Sequence, residues 1–586
     1  MAEDRRIRDG EFPAKGLVLA WAAVCLILLL TGIGRVLAGR FPDPDDVMRL
    51  VQVRDLLSGQ SWFDVSQLRV DPPDGVRMHW SRLVDMPLLA MIALFTPLVG
   101  QSAAETIALV AVPFLTFAVV AAAIGRLAWR LLGARAAIFA VLACGFLPAL
   151  LFQFQPMRID HHGWQIASIA VALWAIGRRR AVSGGWIAGI AMAFGVSISL
   201  ETLPLAAAFA AVLWVRWWFD YKQRDWLVAY MQGLSIGLLG LYLVTRGLST
   251  SAYCDAIAPA HIAFFLVAAV GTWIIGRATK LRGFGLVVLF ALVGALAAAS
   301  YALVSPDCLA TPFARLDPIV ESYWYRLVLE GQPIWRQSPS TWVPALVQML
   351  AAVIATAMLR MHSMQWARRW WSEYMFLLLA AIALGLMVAR SLAFASVIAA
   401  VPLGWLASNL LLRIRQQRAP LAALGLAAVI VAVLAPMSLV MAARQLLPQE
   451  EPVAQNVASG SCDIYANASL LAQLDEGVIL APLDIGPAIL LETQHRVVAT
   501  GHHRAAQAMG DVISAFTAPP DEARAIVARR QADYLALCTD MTEAHLYRNE
   551  APQGLAARLL QGEEPDWLER VDLKGPAELA VYRVRD

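Results

Sequence analysis

The sequence predicts a polytopic α-helical membrane protein with about thirteen transmembrane helices and a C-terminal α/β domain outside the membrane. Three observations predict it. Hydrophobic residues make up 59% of the 586 and charged residues 16%, where soluble chains carry about 45–50% and about 25%. Mean hydropathy is +0.60. Apolar runs near the length of a bilayer crossing recur from residue 17 to residue 443, after which the composition becomes ordinary. A net charge of +3 is too small for a nucleic-acid binder.

The first apolar run, 17–37, has no small-residue cleavage site behind it and reads as a retained anchor. Twelve more follow at 103–125, 135–152, 163–177, 184–199, 202–219, 226–245, 258–276, 284–304, 342–359, 373–389, 391–412 and 420–443. Lys and Arg in short loops set the orientation. The tail carries Arg5, Arg6, Arg8 and Lys15. Every second loop is then basic: Arg126/Arg130/Arg135, Arg178/Arg179/Arg180, Arg216/Lys222/Arg224, Arg277/Lys280/Arg282, Arg360/Arg368/Arg369 and Arg413/Arg415/Arg418. The opposite short loops hold one basic residue or none, so the N-terminus is expected inside and the C-terminus outside.

The expected organisation is a cytoplasmic tail over 1–16, a membrane domain over 17–443 and an outer domain over 444–586. Long outer loops cover 38–102 and 305–341. The outer domain has strand-like runs at Val478 to Leu483, Arg496 to Thr500, Tyr534 to Cys538 and Leu579 to Val584. Helical stretches at Ala505 to Phe516 and Asp521 to Gln531 alternate with them, the pattern of a small α/β domain. The Ala- and Arg-rich composition suits a high-GC bacterium, which makes the expected location the inner membrane with the outer domain in the periplasm.

Cysteine placement agrees with this topology. Cys25 and Cys144 lie within apolar runs, where a small buried residue is the ordinary reading. Cys254 and Cys308 fall on adjacent outer loops, and Cys462 and Cys538 in the outer domain, where two disulfides would persist.

Ionisable residues near spans are functional candidates. Here Arg35, Glu105, Arg158, Asp160, His161, His162, Glu201, Arg246, His261 and Arg390 all fall at outer ends. Transporters place their sites near the midplane, so polar chemistry gathered at one surface suits an enzyme whose substrate enters from that leaflet.

Four stretches carry the chemistry. Asp43, Asp45 and Asp46 follow the first span and either bind a hard cation or cap a helix. His79, Arg82 and Asp85, three apart, share one face if helical. Asp160 and His162 form an Asp-x-His that can supply oxygen and nitrogen ligands to Mn²⁺ or Mg²⁺, in an irregular turn beside Arg158. Glu201 needs a partner, for which the Asp160/His162 group or a bound cation is expected. Arg390, alone at the outer end of paired helices, suits a phosphate or snorkels to headgroups.

The chain resembles the GT-C glycosyltransferases, polytopic enzymes that use polyprenyl-phosphate sugars on the outer or lumenal face. Asp45-Asp46 followed by Arg54, Leu57, Gly59 and Trp62 resembles the acidic pair and R-x-x-L-x-G-x-W helix of that superfamily's first outer loop. The span count, long first outer loop and outer C-terminal domain are similar to the oligosaccharyltransferase catalytic subunit branch. That resemblance implies a divalent cation (Mn or Mg) held by Asp45, His79, Asp160 and His162. It implies catalytic roles for Asp45, Asp46 and Glu201, and substrate contacts from Arg158, Arg390 and Arg82. The WWDYG-type acceptor motif has no match, so the resemblance stops short of asparagine-in-sequon transfer.

The implied function is transfer of a sugar or glycan from a polyprenyl-phosphate-type lipid donor to a glycan, lipid or protein acceptor at the periplasmic face. The alternatives are en bloc oligosaccharide transfer or polysaccharide ligation and, from another class, a transporter or lipid flippase. A membrane assembly protein is a third reading.

Overall fold

Eleven helices among the described residues are long and apolar enough to cross a membrane, or up to thirteen if each of two bent pairs is one span. The computed structural model describes residues 11–249, 253–278, 283–309, 316–446, 462–575 and 578–585. The tail's Arg5, Arg6 and Arg8, and the loop residues Lys280 and Arg282, lie outside them. The protein is a multi-pass membrane protein.

Four stretches differ from the sequence reading, the first being the expected span 163–177, whose helix His162–Ile176 has 15 residues and is too short to count among the crossings. Loop 38–102 contains a helix, Arg82–Val99, that is itself long and apolar enough to cross a membrane. Its apolar run from Met86 to Leu98 is short of a span, but Ser81 caps the helix and the polar first turn is buried, which extends it. The run 135–152 is broken between Ala134–Cys144 and Pro148–Phe154, which meet at 72°. Gly145 ends the first piece and Pro148 begins the second. The run 420–443 bends by 97° at Ala435, because Pro436 lacks an N–H and drives the residue before it out of the helical region.

The chain forms two compact units. The first comprises 1–34, 80–312 and 329–448 and holds the apolar helices. Its core is one continuous cluster of buried aliphatic and aromatic side chains. Apolar lipid gives no drive for helices to associate, so close packing of small residues must hold them. At Gly185, where the helix Ala181–Ile198 lies on Arg224–Arg246, a Cβ would come within 2.6 Å of Trp226 O. Cys254 and Cys308 of this unit are disulfide-bonded, with Cα atoms 5.1 Å apart.

The second unit comprises 35–79, 313–328 and 449–586. Its five-stranded sheet runs in the order Arg496–Val497, Val478–Leu480, Tyr534–Cys538, Leu579–Val584, Leu568–Arg570. The first three strands are parallel, and the last two are antiparallel to their neighbours. Helices lie between them, notably Ala506–Thr517 and Pro520–Arg529. The strand Leu568–Arg570 escaped the sequence reading; it is three residues long and only Leu568 is buried. Cys462 and Cys538 are disulfide-bonded, with Cα atoms 6.3 Å apart.

The first outer loop folds into this sheet. Val497 N donates to Arg69 O at 2.8 Å and Asp71 N to Val497 O at 3.1 Å, so the loop pairs with the edge strand and satisfies its backbone. Arg54 Nη1 and Arg69 Nη1 donate to Leu491 O and Thr493 O, each at 2.9 Å. Arg530 Nη1 reaches Asp71 Oδ1 at 2.6 Å.

Candidate functional site

Polar residues of the first unit gather at the starts of three helices. Met157 takes φ +71 in the irregular stretch before His162–Ile176. The left-handed turn brings Arg158, Asp160, His161 and His162 onto one buried patch, each 7% exposed or less. Asp160 Oδ1 is hydrogen-bonded to His161 Nδ1. Asp160 Oδ2 lies 3.4 Å from His162 Nε2 and 3.6 Å from Arg158 Nη2. Burial alone would raise the Asp160 carboxyl, but its neighbours His161, His162 and Arg158 reverse this and hold it well below the usual carboxylate range.

His162 Nδ1 lies 2.9 Å from Gln165 Oε1, and Gln165 Nε2 donates to Thr202 Oγ1 at 3.1 Å. An amide oxygen only accepts, so Nδ1 carries the proton and Nε2 presents its lone pair. That lone pair faces the Asp160 oxygen. The ligand atoms of Asp160, His161 and His162 all lie within 4.8 Å of one another, so the donor set fits a divalent ion.

Arg390 begins the helical stretch Ala389–Gln416. Its Nη1 donates to Glu330 Oε1 at 3.0 Å, and its Nη2 is hydrogen-bonded to Glu201 Oε1. Glu330 feels burial, which would raise its carboxyl; Arg390, His162 and Arg158 lower it below its ordinary value. Among the described residues no hydrogen bond reaches the buried Arg390 Nε or Glu201 Oε2.

The second unit holds two further groups. Asp43 caps the helix Pro44–Leu57, its Oδ1 accepting from Asp45 N at 2.9 Å. Asp46 is fully buried and Asp45 half-buried. His79 Nδ1 lies 2.8 Å from His502 Nε2, and the ligand atoms of His79, His502 and His503 fall within 4.8 Å of one another. Arg504 Nη1 donates to Arg77 O and Met78 O at 3.0 and 3.2 Å and pins this trio.

No protein-family model and no curated protein matches the chain. Solved structures do. Archaeal oligosaccharyltransferase AglB from Archaeoglobus fulgidus, in complex with an inhibitory peptide and a dolichol-phosphate, matches 98% of this chain at 13% identity, with a TM-score of 0.68. The match spans 75% of that structure. The fold is similar to that of this archaeal oligosaccharyltransferase. The apo form of the Archaeoglobus fulgidus enzyme matches 92% of this chain and 72% of its own, at 14% identity and TM-score 0.67. Its complex with Zn and sulfate matches 97% and 73%, at 13% identity and TM-score 0.64.

The expected site residues divide between the two units. Arg158, Asp160, His162, Glu201 and Arg390 belong to the first, and Asp45, Asp46 and His79 to the second. Glu201 was expected to meet the Asp160/His162 group or a cation; its ion-pair partner is Arg390, 189 residues on. Arg82, expected at substrate, is 1% exposed and pairs with Asp85 at 3.3 Å. His261 caps its own helix, its Nδ1 accepting from Ala258 N at 3.2 Å. Sequence reasoning left out Glu330, Gln165 and Thr202. Gln165, three residues after His162, had a helical spacing that could have revealed it; Glu330 had no local signal.

Proposed function

We propose that this protein transfers a sugar or glycan from a polyprenyl-phosphate-type donor to an acceptor at the periplasmic face of a bacterial inner membrane. The observation that carries the reading is the buried Asp160/His161/His162 donor set, together with Arg390, a helix-start arginine held by Glu201 and Glu330.

In such a transfer the acceptor oxygen or nitrogen attacks the anomeric carbon. The bond from that carbon to the phosphate oxygen breaks, and the phosphate leaves with the electron pair. Arg390, oriented by Glu201 and Glu330, is assigned to the donor phosphate. Arg158, whose guanidinium lies 4.9 Å over the Phe152 ring, is assigned to the same charge. Asp160, His161 and His162 would hold a divalent cation, Mn²⁺ or Mg²⁺, which supplies positive charge for the departing phosphate. Gln165 fixes the His162 tautomer. Asp45, the catalytic carboxylate that the resemblance implies, is assigned the acceptor's proton.

The test is a transfer assay with labelled polyprenyl-phosphate and polyprenyl-diphosphate sugars, in Mn²⁺ or EDTA. Wild type is compared with Asp45→Asn, Asp160→Asn and Arg390→Gln. Transfer or donor hydrolysis that folded variants lose supports the reading. Silence across the panel, with no thermal shift on adding donor, would overturn it in favour of transport or assembly.

A further inference from the structure

At the ends of the helices opposite the Asp160 cluster lies a second, basic cavity of about 760 Å³. The helix His162–Ile176 links the two. Its first residue belongs to the cluster and its last lines the cavity, roughly 20 Å away at 1.5 Å per residue. Arg130, Arg178, Arg179, Arg216 and Arg369 line it, with Glu373 as the one carboxylate among the lining residues.

Glu373 is already engaged. Its Oε2 accepts from Arg216 Nη2 at 2.7 Å, and its Oε1 lies 3.6 Å from Arg369 Nε. Arg216 is 7% exposed, donates to Ile176 O at 3.2 Å and lies 4.9 Å over the Trp226 ring. Five arginines against one carboxylate give the lining a surface complementary to an anion. The volume falls within the 300–1,000 Å³ typical of small-ligand sites.

We propose that this cavity binds the headgroup of an anionic phospholipid. Two features favour a lipid over a soluble anion. The cavity is formed by the ends of membrane-length helices, on the side that carries the basic loops. Its lining also carries Trp129 and Trp366, and indoles settle where headgroups meet acyl chains. Guanidinium forks suit phosphate oxygens.

The test is native mass spectrometry of the delipidated full-length protein. Cardiolipin and phosphatidylglycerol are added in parallel with phosphatidylcholine, and inorganic phosphate in a separate arm. The variant Arg178→Gln/Arg179→Gln removes two of the cavity charges. Arg415→Gln/Arg418→Gln removes as much charge outside the cavity and serves as control. Retention of anionic lipid is expected to exceed that of phosphatidylcholine at least tenfold in wild type and control, and to fall about tenfold in the cavity variant. Equal retention of zwitterionic lipid, or unchanged retention in the cavity variant, overturns the proposal. Binding of inorganic phosphate with no retained lipid overturns the lipid as ligand. Thermal unfolding of each variant confirms that it is folded.

Discussion

His162 Nε2 lies 3.4 Å from Asp160 Oδ2, while the other ring nitrogen is 2.9 Å from Gln165 Oε1. The ring is thus held by an amide that dictates which nitrogen keeps its lone pair. Partners that orient metal ligands in this way commonly contribute about 10–100-fold to metal affinity. Gln165→Met keeps the volume and removes the acceptor. Mn²⁺ affinity, measured by calorimetric titration, is expected to fall within that range while the protein remains folded. Unchanged affinity would remove the cation from this patch.

Arg390 joins Glu201 to Glu330 across two polar turns. Arg390→Gln leaves two carboxylates facing each other and removes the phosphate partner. Losing one positioned donor at a developing charge typically costs about 10²–10³ in turnover. Arg390→Lys keeps the charge but loses the fork, so its activity is expected to fall between wild type and Arg390→Gln. Equal activity in all three would make Arg390 purely structural.

Glu543 accepts from Leu483 N at 2.8 Å and Asp484 N at 3.0 Å, and Tyr547 donates to it. Burial first, and the charge of Asp484 second, push its carboxyl from 4.5 up to about 8. A group raised on folding contributes its full stability below its unfolded value and loses it as pH rises through the folded one. The unfolding temperature is therefore expected to decline between about pH 4.5 and about 8. Glu543→Gln is expected to flatten that slope, at the cost of one backbone hydrogen bond worth about 1 kcal/mol. A slope that persists in the variant would assign it to other groups.

Of the six cysteines, four are paired and the buried Cys25 and Cys144 are free. Alkylation of the denatured protein should add two labels without reductant and six with it, read by intact mass. Four or six labels without reductant would mean that one or both pairs face a reducing compartment. Alkaline phosphatase fused after Asp586 should be active and a fluorescent protein there dark, if the C-terminus is outside as the basic loops imply.

The sequence by itself determined the class of this protein and the level of its polar chemistry. Burial in lipid is decided run by run, because each helix satisfies its own backbone, so hydropathy and loop charge can be read locally. Even so, the breaks at Gly145 and Ala435 depended on single residues within apolar runs, and the helix Arg82–Val99 on a buried polar first turn. The pair Asp160 and His162 stood out because the two are close in sequence. The pairings that make a site were decided by the tertiary structure. Glu201 meets Arg390 across 189 residues, His79 meets His502 across 423, and Arg69 hands its carbonyl to Val497. Such contacts have no local spacing to announce them. They form because a buried charge or an open sheet edge must find a partner, and only the packed fold determines which one is within reach.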